Sequence, residues 1–84
     1  MSGNVIRMPI DHRAEIAAEV RAEMARQHRT QDSLATLLGV TQQTVSPKVR
    51  GLASFRAEEL KVIAEWLQVP ITQFTTPARE RAAS

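Results

Sequence analysis

The sequence contains no cysteine and no tyrosine, and its 84 residues include only two phenylalanines and one tryptophan. Without cysteine there is no disulfide framework, no thiolate metal site and no thiol nucleophile. With so few aromatic residues, a core has to be built mainly from Leu, Ile, Val and Ala, which suits packed helices. The composition therefore favours one small all-α domain.

Long apolar runs are also missing. No stretch approaches the roughly 18 apolar residues that span a bilayer, and the N-terminus lacks the apolar segment of a secretory signal. Together with the lack of cysteine, this predicts an intracellular, cytoplasmic protein.

The parts of a catalytic or metal site are not found either. His12 and His28 lie far apart, without a carboxylate cluster or an adjacent nucleophile to pair with them. No glycine-rich phosphate loop of a recognised spacing is present. The sequence predicts neither an enzyme nor a cofactor site.

Charge of one sign is scarce overall, because the formal net charge is only +2. The excess lies between residues 30 and 56, where Lys48, Arg50 and Arg56 outweigh Asp32. A local charge excess of this size is common on protein surfaces. The positive charge therefore only supports a functional prediction that rests on other features.

The first helix is predicted over residues 12 to 28, with Asp11 as its N-cap. Apolar residues recur at every fourth position from Ile16 to Met24. Glutamates, including Glu23, alternate with arginines around the other side, as on a solvated helix face.

Two shorter helices are predicted next by their end signals. Thr30 caps a second helix that runs through residue 38, and Gly39 ends it with a turn that favours a left-handed conformation. Thr41 caps a third helix through about Arg50, which Gly51 ends.

A fourth helix follows from apolar residues at i, i+3, i+4 and i+7 between Leu60 and Leu67. Ser54 is its predicted cap, and a brief helical turn is predicted from Ile71 to Phe74. These elements predict a flexible N-terminal arm over residues 1–10, a domain over residues 11–75 and a disordered polar tail over residues 76–84.

The stretch from Gln31 to Gly51 has the end signals of two short helices joined by a tight turn. It resembles the phage repressor and Cro-like, or XRE-type, helix-turn-helix proteins. The residues that carry the resemblance are T-Q-x-x-L-A-x-x-L-G-V from Thr30 to Val40, T-Q-Q-T-V-S from Thr41 to Ser46, and E-E-L-x-x-I-A-x-x-L-x-V-P-I from Glu58 to Ile71.

This resemblance implies a compact domain of four to five helices that binds double-stranded operator DNA as a transcription regulator. It further implies a repressor of phage or prophage type, acting in the bacterial cytoplasm or nucleoid, whose third helix enters the major groove. No cofactor or small-molecule ligand is implied.

The resemblance also implies which side chains face the DNA. Base readout is expected from the first turns of the third helix: Gln42, Gln43, Thr44 and Ser46. Phosphate contacts are expected from Arg29, Thr30, Gln31, Ser33, Thr41, Lys48 and Arg50. Glutamine pairs bidentately with adenine, and a threonine methyl contacts the thymine methyl. Outside such a motif, the same side chains would be read as merely solvated.

Pro47 departs from the family's pattern, since it lies in the middle of the third helix. A proline there lacks an N–H and crowds the carbonyl of Gln43, at a cost of about 3 kcal/mol. The sequence therefore predicts a kinked helix. The alternative is a helix that begins only near Ser46.

Val62 and Trp66 lie off the apolar stripe of the fourth helix. Two readings are open: they pack under neighbouring elements, or they form a homodimer or partner surface that Phe74 shares. A dimer would place two recognition helices about one DNA turn (~34 Å) apart. The rival to DNA binding is an antitoxin-type or adaptor module whose main partner is another protein.

Overall fold

A computed structural model describes residues 12–76, which form five helices and, within that range, no strand. In chain order these are α1 (His12–Arg26), α2 (Gln31–Leu38), α3 (Gln42–Val49), α4 (Ala57–Leu67) and α5 (Thr72–Thr75). The predicted all-α domain of four to five helices is confirmed. The predicted N-terminal arm, the Asp11 cap and residues 77–84 of the predicted tail lie outside the described residues.

The apolar core joins all five helices. Its buried members are Val20, Met24, Leu34, Ala35, Val45, Val49, Leu60, Ile63, Ala64, Leu67 and Phe74. The predicted stripe of α4 is buried along its whole length. Among the described residues, no helix combines the length and apolar character needed to cross a membrane.

The first helix ends two residues earlier than predicted. His28 adopts a left-handed backbone with a φ of 58°, and the N–H of Arg29 donates to the Met24 carbonyl at 2.8 Å. This conformation closes a helix and is usually supplied by glycine. Because a histidine adopts it here, the sequence carries no signal for this helix end.

Glu23 was predicted to lie on a solvated face, and that prediction is wrong. The residue is only 8% exposed. Its carboxylate accepts hydrogen bonds from Arg26 at 2.7 Å, from Gln27 at 2.8 Å and from Gln73 at 2.6 Å. Gln27 also donates to the Leu67 carbonyl at 2.8 Å. The bonds from Arg26 and Gln27 lower the pKa of Glu23, and the network ties the end of α1 to α4 and α5.

The fourth helix begins at Ala57, with Arg56 rather than Ser54 at the N-cap position. The Glu59 carboxylate accepts the backbone N–H of Arg56 at 2.8 Å, as the third helical residue of a capping box does. Ser54 therefore lies too early in the chain to serve as the cap.

Candidate nucleic-acid interface

The connection between α2 and α3 is a tight turn of the kind that the sequence predicts. Thr30 caps α2 by accepting the backbone N–H of Ser33 at 3.1 Å. Gly39 ends α2 in a left-handed backbone with a φ of 71°. The N–H of Val40 then donates to the Ala35 carbonyl at 3.0 Å, which turns the chain directly toward α3.

The third helix begins where the sequence predicts. The Thr41 hydroxyl accepts the backbone N–H of Thr44 at 3.2 Å, and helical residues run without a break from Gln42 to Val49. Pro47 lies inside this helix, so the alternative start near Ser46 is wrong. Since proline has no N–H, Pro47 cannot donate the helical hydrogen bond that the Gln43 carbonyl would otherwise accept from that position.

The N-terminal end of α3 presents polar side chains to solvent. Val45 and Val49 are buried and define the inward side of the helix. Gln42, Gln43 and Thr44 are exposed, and Ser46 is half-buried. At about 100° per residue, Gln43 lies nearly opposite Val45, whereas Gln42 precedes Val49 by almost two whole turns and so shares its direction. Gln42 is exposed because it is the first residue of the helix, and the two amides leave the helix in different directions.

The Thr44 hydroxyl lies 3.2 Å from the Thr41 hydroxyl and takes part in the helix cap. Its methyl group is the part of the side chain left for apolar contact. This arrangement fits the contact with a thymine methyl that the resemblance implies.

Several predicted phosphate ligands lie together at the start of α2. Gln31 is its first residue, and Thr30 and Ser33 exchange hydrogen bonds in a reciprocal cap. The Ser33 hydroxyl donates to the Thr30 carbonyl at 2.8 Å, so that proton is already used. Gln31 consequently offers the better-placed side chain beside the N–H groups of this helix end.

The remaining predicted phosphate ligands differ in their surroundings. Arg50 is exposed just beyond α3. Lys48 instead points to α4, where its ammonium lies 2.8 Å from both carboxylate oxygens of Glu59. Burial alone would raise the pKa of Glu59, but Lys48 and the Arg56 N–H hold it below its ordinary value. Lys48 therefore joins α3 to α4 through an ion pair, and its contact with phosphate stays a prediction.

The three residues of the predicted partner surface do not lie on one exposed face. Phe74 is 2% exposed and belongs to the core, so its assignment to a surface is wrong. Trp66 is half-buried against the core, and the Arg29 guanidinium carbon lies 4.7 Å from the centre of its ring. Only Val62, at 39% exposure, faces outward.

Two contacts from α1 to the end of α3 have no signal in the sequence. Arg21 donates from Nη1 to the Val49 carbonyl at 2.6 Å. Gly51 is buried with a φ of 82°, and a Cβ atom there would lie 3.1 Å from the backbone Cα of Ala14. Both contacts join residues far apart in the chain, where helical periodicity carries no information.

Comparisons with known proteins agree with this architecture. The chain is similar to a solved structure described as a hypothetical transcription factor, NHTF, from Neisseria, with a TM-score of 0.74 and 24% identity over 92% of this chain and 91% of that one. It is also similar to the clp gene regulator ClgR from C. glutamicum, with a TM-score of 0.72 and 22% identity over 88% of this chain and 95% of that one. At this level of identity the likeness shows the fold. No protein-family model and no curated protein sequence matches the chain.

Proposed function

We propose that this protein is a sequence-specific, double-stranded DNA-binding transcription regulator that reads the major groove with α3. The observation that carries the proposal is the exposed N-terminal end of α3, which carries Gln42, Gln43 and Thr44 on a helix that Val45 and Val49 anchor in the core. A helix held in this way presents hydrogen-bonding side chains that match base edges. The two similar structures, described as a transcription factor and a gene regulator, support the proposal.

The phosphate contacts of the proposed complex come from the ends of the same two helices. Gln31 and the N–H groups at the start of α2 face one strand of the DNA backbone, and exposed Arg50 adds a cation beyond α3. Thr30, Ser33 and Thr41 contribute to phosphate binding with their backbone N–H groups and by capping the starts of α2 and α3. These contacts fix the position of the protein on DNA but do not read its sequence.

The more specific part of the proposal is a repressor of phage or prophage type in the bacterial cytoplasm or nucleoid. It would occupy an operator and thereby exclude polymerase, without a cofactor. This part rests on the T-Q-x-x-L-A-x-x-L-G-V resemblance from Thr30 to Val40.

Selection of bound sequences from a random DNA pool tests the proposed function. We expect a recovered consensus that binds far more tightly than random duplex, with log affinity falling by about 0.9 per phosphate contact for each unit of log salt concentration. Equal binding to every duplex would contradict sequence-specific regulation and favour the adaptor reading.

A homodimer is the state in which two copies of α3 would read a palindromic site. Of the three residues predicted to form a partner surface, only Val62 faces outward. Sedimentation of Val62→Glu and Trp66→Ala separates the two roles. We expect Val62→Glu to reduce self-association, whereas Trp66→Ala lowers stability without changing the mass. An unchanged mass for Val62→Glu would place any dimer contact elsewhere.

A further inference from the structure

A shallow groove of about 310 Å³ lies where α1, the start of α2 and the end of α3 meet. Arg21, Arg29 and Gln31 line it, together with the buried side chains of Met24 and Val49. No acidic residue is among the described residues that line this groove. Its polar lining therefore consists of two cations and one amide.

Both arginines of the groove are held in place by neighbouring groups. Arg21 donates to the Val49 carbonyl at 2.6 Å, and Arg29 lies over the Trp66 ring at 4.7 Å. A guanidinium carries five N–H donors, and one carbonyl bond or one ring contact leaves most of them available. Side chains that are already positioned lose less conformational entropy when an anion binds.

We infer that this arginine groove, defined by Arg21, Arg29 and Gln31, holds a backbone phosphate of the DNA, with Arg21 as a contact contributed by α1. The inference rests on the proposed function and adds a residue to it. The planar guanidinium matches a phosphate bidentately, and the start of α2 at Gln31 adds N–H groups and a favourable dipole.

Arg21 also connects phosphate binding to base reading. The same guanidinium that faces the groove donates to Val49, the last residue of α3. A phosphate bound there is consequently fixed relative to the helix that carries Gln42 and Gln43. The role of Arg21 is to bind the sugar-phosphate backbone of the DNA and to set the position of α3 along that backbone.

The Arg21→Met variant tests the inference, with Lys61→Met as the matched control. Lys61 is an exposed cation on α4 that does not line the groove, so its loss changes the net charge by the same amount. We expect Arg21→Met to weaken binding to the selected operator and to random duplex alike, by about ten-fold. The slope of log affinity against log salt should become shallower by about 0.9, whereas Lys61→Met keeps the wild-type slope.

Folding of each variant is checked by circular dichroism before binding is measured. A folded Arg21→Met protein with the wild-type salt slope would overturn the inference and leave Arg21 only as a cap for α3. Failure of the proposed function has a different signature, because the wild-type protein itself would then show no preference among duplexes.

A measurement on the wild-type protein removes any dependence on the variant's folding. With arginine Nε labelled by ¹⁵N, adding operator DNA should shift the Nε–Hε resonances of Arg21 and Arg29. The resonance of Arg26, which is already paired with Glu23 at 2.7 Å, serves as the internal reference. An Arg21 resonance that stays in place at saturating DNA would overturn the inference.

Discussion

At the scale of single residues, Glu23 departs most from what its sequence context suggests. Its neighbours Glu15 and Glu19 follow the same spacing on α1, but only Glu23 is buried. The difference arises because α5 brings Gln73 onto the end of α1, where its amide donates to the carboxylate at 2.6 Å. A partner fifty residues away leaves no trace in local periodicity.

We expect Glu23→Gln to lower the free energy of unfolding by about 1–3 kcal/mol, since a neutral amide replaces a carboxylate that accepts three side-chain donors. Urea unfolding at pH 7 measures the change. Glu65→Gln is the control, because Glu65 is exposed on α4. Equal effects of the two substitutions would contradict the structural role of Glu23.

The lowered pKa of Glu23 also predicts a pH dependence of stability. A carboxyl group whose pKa is lower in the folded state contributes its full stabilisation above its unfolded pKa. That contribution is lost as the pH falls from there through the folded pKa. Urea midpoints between pH 7 and pH 3 should therefore fall less steeply for Glu23→Gln than for the wild type, and parallel curves would argue against the lowered pKa.

Gly39 in the turn between α2 and α3 and Gly51 after the end of α3 differ in what surrounds them. Both have a left-handed φ, but a Cβ on Gly39 would meet nothing within 4 Å, whereas one on Gly51 would press on Ala14 at 3.1 Å. We expect Gly39→Ala to cost about 1–2 kcal/mol from backbone strain alone, and Gly51→Ala to cost more. Thermal unfolding of the pair measures the difference. The opposite order would contradict the close approach of α1 to the end of α3.

At the scale of the elements, the sequence predicts those features that depend on neighbours along the chain. The cap at Thr41, the left-handed turn at Gly39 and the buried stripe from Leu60 to Leu67 all follow from local rules of helix capping and periodicity. Features set by packing between elements do not. Phe74 lies on a helix of only four residues, too short for periodicity to show which side is buried.

The same distinction between local features and packing between elements applies to the candidate interface. The exposed amides on α3 are found by motif and spacing. The pairing of Lys48 with Glu59, and of Arg21 with Val49, depends on how α3 meets α4 and α1. The sequence therefore predicts a phosphate contact for Lys48 without showing its partner Glu59, and it carries no signal for the bond from Arg21 to Val49.

Pro47 is an unfavourable residue inside α3, because the helix continues through it without the N–H that would bond the Gln43 carbonyl. We expect Pro47→Ala to raise the free energy of unfolding by up to about 3 kcal/mol. Pro47→Arg should give a similar gain and also raise non-specific DNA affinity. Thermal melting and a random-duplex titration measure both effects. Loss of folding in either variant would show that the proline is structurally required.

At the scale of the whole molecule, three other helices hold α3 in place. It packs against α1 and α2, and the Lys48–Glu59 ion pair at 2.8 Å ties it to α4. The polar end that remains outside this packing is the one that carries Gln42 and Gln43. The fold thus positions a small set of hydrogen-bonding side chains on a rigid support, as direct readout of bases requires.

The ratio of affinities for the selected operator and for random duplex, measured for Gln42→Ala/Gln43→Ala at one salt concentration, tests this account most directly. We predict that the ratio falls at least about ten-fold, since each bidentate base contact contributes about 1–3 kcal/mol of discrimination. Arg50→Ala, which removes a proposed phosphate contact, should weaken both affinities and leave their ratio in place. An unchanged ratio in the double variant would contradict the assignment of base reading to α3.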